Sequence, residues 1–154
     1  MPPQQQAVDV RCNCFCPATD PSMTNTVKYK FTFCFDYGAG GCLWANNEAT
    51  SRDFGVGPLD LVIKEQLQLP SDNAIQEIMD IDMLHSTYLN KDYPPDPSTW
   101  TQEQCDAFNK RIENLIILLR QEFPSFIELI DKQERYVQDP DLDRYLNDPK
   151  NFKR

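Results

Sequence analysis

The chain has 154 residues, 40% apolar and 11% aromatic, enough for one sizeable core and too much for a disordered protein. Its formal charge of −9 repels phosphate backbones, so a nucleic-acid partner is not expected. No run of eighteen apolar residues occurs, which excludes a membrane-spanning helix built from one continuous segment.

Residues 1–22, "MPPQQQAVDVRCNCFCPATDPS", lack periodicity and are rich in Pro and Gln. They show neither the basic start nor the apolar stretch of a secretory signal, so a cytoplasmic protein with reduced thiols is expected. The segment reads as a disordered tail or a misassigned translation start, since Met23 stands directly before the first strand pattern. Cys12, Cys14 and Cys16 alternate within it, but three thiolates leave a structural zinc shell one ligand short. No metal and no cofactor are therefore expected.

Residues 27–37, "VKYKFTFCFDY", alternate strictly between Val27, Tyr29, Phe31, Phe33 and Phe35 on one side and Lys28, Lys30, Thr32, Cys34 and Asp36 on the other. Period two with aromatic residues predicts a half-buried strand. "GAGG" at 38–41 supplies permissive backbone for a turn or bulge. Asn46 or Asn47 then caps a short helix running to Arg52 or Asp53, closed by Gly55, with Trp44 and Phe54 as aromatic anchors. The same residues admit a second reading, in which Trp44, Asn47 and Arg52 line a pocket for a small molecule or an enzyme's substrate.

Leu59, Val62, Ile63 and Leu67 form a helical stripe opened by Pro58, with an irregular strand as the competing assignment. A clearer helix starts at Ser71 or Asp72, with Ile75, Ile78, Met79, Met83 and Leu84 predicted to face inward. Glu77 and Asp80 stand three apart on its outer face. His85, near its end, is the only histidine; without a nucleophile pattern around it, it reads as a capping or satisfied surface group. "NKDYPPDPSTW" must run extended, because Pro94, Pro95 and Pro97 fix φ and lack donors, and Tyr93 and Trp100 are expected to pin its ends.

Thr101 and Gln104 form a capping-box pair for the strongest helix, whose stripe is Cys105, Phe108, Ile112, Leu115, Leu119 and Phe123, widened by Ile116, Ile117 and Leu118 and stopped by Pro124. Residues 126–131 suit a short strand beside 27–37. The rest reads as a polar tail with one helical turn around Leu142 to Leu146.

Leu43, Trp44, Asn47, Ala49, Phe54, Gly55, Leu69, Pro70, Ser71, the run Tyr93 to Ser98, Trp100, Phe108 and Leu119 together carry a resemblance. Through them the chain resembles a loose group of small bacterial proteins with an LW-Asn…FG stretch and a Tyr-Pro-Pro-Asp-Pro-Ser loop. The resemblance spans residues 27 to about 131 and excludes both tails. It implies a closing strand at Phe126 to Asp131 and attaches no activity.

The expected architecture is a single α+β domain over residues 23–133, a small antiparallel sheet covered by three or four helices, with residues 1–22 and 134–154 as tails. Charge directs the functional expectation. Between Asp60 and Asp106 stand ten acids against two bases, Lys64 and Lys91. No phosphate-cradling loop, nucleophile elbow or zinc-spaced set is present, so no catalytic residue is assigned. The expected function is a non-catalytic interaction module, of the immunity or inhibitor kind, docking a basic protein partner through Glu77, Asp80, Asp92 and Asp96.

Overall fold

The period-two stretch becomes strand β1 (Tyr29–Phe33), with Tyr29, Phe31 and Phe33 buried and Lys30 and Thr32 half-buried on the opposite face. The structure, a computed structural model, describes residues 26–154. The expectations for residues 1–22, including Cys12, Cys14 and Cys16, lie outside them.

A turn carrying Gly38 and Gly40 at positive φ, held by Ala39 N–H to Asp36 O (3.1 Å), leads into β2 (Leu43–Ala45). Three residues are too few to show periodicity, so β2 has no sequence signature of its own. Helix α1 (Glu48–Phe54) follows: Asn47 is its N-cap, accepting from the Thr50 N–H at 3.1 Å, and Gly55 ends it at φ 97°. Helix α2 (Asp60–Leu67) resolves the helix-or-strand ambiguity in favour of helix.

Helix α3 (Asp72–His85) is capped by Ser71, whose hydroxyl also donates to Glu122 at the far end of α4. Helix α4 (Gln102–Glu122) has the capping box that its sequence announces. Strand β3 (Ile127–Asp131) and helix α5 (Leu142–Asn147) complete the order.

The sheet order is β2-β1-β3. The fold class is α+β, but the sheet is mixed: β1 pairs antiparallel with β2 and parallel with β3, in the register Tyr29↔Ile127 to Phe33↔Asp131. Alternation along a strand is identical in either direction. Direction is set by the connection, and four helices between β2 and β3 return the chain to the end of the sheet at which β1 begins.

Several residues expected to pack are exposed, Val27 at the start of the period-two stretch among them. On α3, Met79 and Met83 are exposed, and the core face is Ala74, Ile78, Ile81 and His85, because the helix is rotated so that its i, i+4, i+7, i+11 row points in. On α4, Ile117 is exposed, while Ile116 lies in the core and Leu118 packs against it. Of the two aromatic residues expected to pin the proline-rich loop, only Trp100 does so, donating its indole N–H to Thr87 Oγ1 (3.1 Å); Tyr93 is exposed.

Residues 134–154 are not a free tail. They run back along the body, burying Tyr136, Leu142 and Tyr145, and Arg154 ties their end to Asp139 (2.7 Å) and to the Pro95 carbonyl (2.8 Å). Polar residues dominate this segment by count; of its apolar ones Tyr136 joins the core and Leu142 and Tyr145 are buried, while Val137 and Leu146 stay exposed.

Candidate functional site

The outward face of α3 is a surface on which exposed apolar side chains coincide with acids. Met79 is 52% exposed and Met83 71%, and the spacing of four stacks them one turn apart. Gln76 and Asp80 complete the face, joined by a hydrogen bond of 2.9 Å. Asp82 borders it, its carboxyl held above the usual range by burial and by the nearby Asp60. Asp80, Asp82, Asp92 and Glu65 take part in none of the ion pairs seen among the described residues.

The four acids expected to dock a partner do not act as one group. Glu77 faces α4, where Arg111 holds it with two parallel hydrogen bonds of 2.9 Å, so its charge is neutralised inside the chain. Asp80 stands on the exposed face beside Met79 and Met83. Asp92 is exposed in the proline-rich loop, its N–H turned into the Asn90 side chain (3.0 Å). Asp96 lines a cleft of about 200 Å³ with Tyr88, Asn90, Asp139 and Arg154, and so faces a cation of its own chain.

Trp44, Asn47 and Arg52 likewise have structural partners. The Trp44 indole lies half-buried and donates to the Cys34 carbonyl at 2.8 Å. Asn47 caps α1 with its oxygen and donates to the Lys28 carbonyl (3.0 Å), stitching the helix to the start of β1. Arg52 pairs with its neighbour Asp53 at 3.0 Å. Three clefts among the described residues, beside Arg144, beside Asp96 and beside Arg120, are lined by other residues.

Two of the buried polar sets that escape the sequence are built around His85 and Asp60. His85 is a core residue, not a surface group: its Nε2 lies 2.9 Å from the Tyr136 hydroxyl, and its ring is stacked on Tyr37 at 4.3 Å. Burial holds the imidazole below the ordinary histidine range, with Asp36 pulling weakly the other way. The apolar residues around position 85 could have signalled burial; nothing local points to Tyr136. The second set is Asp60, which accepts from the backbone N–H of Cys42 (3.0 Å) and Leu43 (3.2 Å) and from the Cys42 thiol (3.2 Å). Burial raises its pKa while those donors pull it down. A Cβ at Gly41 would collide with the same carboxylate, which is why the approach to β2 is glycine.

Compared with known proteins, the chain matches no family model, no curated protein and no solved structure.

Proposed function

We propose that the chain is a protein-interaction module whose docking surface is the outward face of α3, centred on Met79 and Met83 and edged by Asp80 and Asp82. The observation that carries this reading is the exposure of two methionines one turn apart on a helix whose opposite face is core. Methionine is flexible and polarizable, and a pair of this kind suits contact with apolar side chains of varied shape. The acids around it favour a partner segment with apolar anchors between basic residues, and would speed its approach. Such a module acts as an inhibitor or immunity protein does, by covering a basic surface of its partner.

The chain, immobilised and exposed to lysate of its source cells, tests this when compared with Met79→Ser/Met83→Ser and Asp80→Lys variants. A stoichiometric partner should elute with rising salt, be lost from the methionine variant, and protect amides of residues 76–87 from hydrogen exchange. Undiminished binding by both variants, or protection elsewhere on the chain, would overturn the reading.

A further inference from the structure

The register of the β1–β2 pair extends one residue beyond the strands and places Cys34 opposite Cys42. Phe33 pairs with Leu43, and the next hydrogen bond, Cys34 N–H to Cys42 O at 2.9 Å, continues the ladder. Residues opposite one another in an antiparallel pair point to the same face. The pair makes one of the two ladder bonds, the Cys42 N–H turning to Asp60 at 3.0 Å; where both bonds form, the Cα atoms stand about 5.5 Å apart, inside the range that a disulfide bridges. Both thiols are free. They differ in access, since Cys34 is half-buried and Cys42 is fully buried, with its sulfur 3.2 Å from Asp60 Oδ1.

We propose that Cys34 and Cys42 are a reversible dithiol–disulfide pair, with Cys34 meeting the oxidant, Cys42 closing the bridge and Asp60 accepting the Cys42 proton. With a peroxide as oxidant, the Cys34 sulfur attacks the peroxide oxygen and becomes a sulfenic acid, as the other oxygen leaves as water or an alcohol. The Cys42 sulfur then attacks the Cys34 sulfur, its proton passes to the Asp60 carboxylate and from there to the departing hydroxyl of the sulfenic acid, which leaves as water and returns Asp60 to the carboxylate. Two thiols are oxidised and one peroxide is reduced. A thiol reductant reverses the change.

The resting thiols are slow to react. Burial and the neighbouring acids raise both pKa values, Asp36 acting on Cys34 and Asp60 on Cys42. The site therefore responds to sustained oxidation. Among the described residues the β1–β2 register sets Cys34 and Cys42 opposite each other, whereas Cys105 belongs to another element, α4.

The sequence supplies a direct readout. Trypsin cutting after Lys30 and Arg52 leaves Cys34 and Cys42 together, without any other cysteine, in one peptide of residues 31–52. The full-length chain is treated with hydrogen peroxide under native conditions, blocked with iodoacetamide and digested. The expected product is residues 31–52 unalkylated and two hydrogens lighter, returning to a doubly alkylated form after dithiothreitol. Asp60→Asn should slow bridge closure several-fold and leave the Cys34 sulfenic acid to accumulate, trapped by dimedone. Peptide 31–52 recovered doubly alkylated after peroxide, or Cys34 joined to the peptide of residues 12–28, would overturn the pairing; closure at an unchanged rate in Asp60→Asn would overturn the role of Asp60.

Discussion

His85 and Tyr136 are joined side chain to side chain at 2.9 Å across 51 positions of sequence, fastening the last residue of α3 to the C-terminal segment. Tyr136 is wedged among Tyr88 (3.9 Å, stacked), Phe108 and Trp100, and its backbone exchanges two hydrogen bonds with Asn109 of α4. Tyr136→Phe keeps the ring and removes the hydroxyl. It should destabilise the fold by about 1–3 kcal/mol, the penalty of leaving a buried polar group unpaired. Tyr136→Ala should lose about 3–5 kcal/mol, as for other large buried aromatic truncations. Urea unfolding measures both, and losses near zero would return residues 134–154 to the status of a tail.

The buried imidazole makes stability depend on pH. Its folded pKa lies below the ordinary value of 6.5, so the native state favours the neutral ring. The stabilisation it carries is present above pH 6.5 and is lost as pH falls through the folded value. One proton limits the slope to about 1.4 kcal/mol per pH unit. Unfolding curves between pH 7.5 and pH 5 should therefore diverge between the wild-type chain and His85→Gln, the variant falling less. Parallel curves would assign acid sensitivity to other groups.

Glu77 and Arg111 staple α3 to α4. Both are about one-third exposed, so the bidentate geometry is worth only about 0.5–1 kcal/mol in a double-mutant cycle. Met79→Ser, Met83→Ser and Asp80→Lys lie on the opposite side of the division between packing and surface. Each should change stability by no more than about 0.5 kcal/mol. Thermal unfolding distinguishes the two groups, and loss of fold in the methionine variants would mean that those side chains pack after all.

Asp60 fixes where β2 begins. Asp60→Ala leaves the buried N–H groups of Cys42 and Leu43 without acceptors and should destabilise by about 2–5 kcal/mol. Asp60→Asn retains an acceptor oxygen and should lose less. Gly41→Ala, which pushes a methyl into the carboxylate, should approach the severity of Asp60→Ala. Equal, small losses in all three would show that the hairpin is held by its ladder alone.

What the sequence made legible follows the reach of local rules. The caps Asn47, Ser71 and Thr101, the stop at Gly55 and the alternation of β1 depend on neighbours within a few residues, and all stand where those rules put them. The partners of Glu77, His85 and Asp60 are set by tertiary contacts at separations of 34, 51 and 18 positions, beyond any local signal. Met79 and Met83 were misread for a related reason: α3 carries apolar residues on more than one face, and only the packing against α4 decides which is inward. The acidic stretch from 60 to 106 was visible as charge, but which acids remain unpaired was not.

The parallel partnership of β1 with β3 also governs the order in which the chain acquires its shape. Every residue of β1 finds its β3 neighbour 98 positions later, and the bond from Phe35 N–H to Gln133 spans the same interval. Contacts so distant close late and slowly, whereas helices and the β1–β2 hairpin form locally. During synthesis, Tyr29, Phe31 and Phe33 must wait, with one strand edge open, until residues 127–131 have left the ribosome. That interval is when the chain is most exposed to edge-to-edge aggregation.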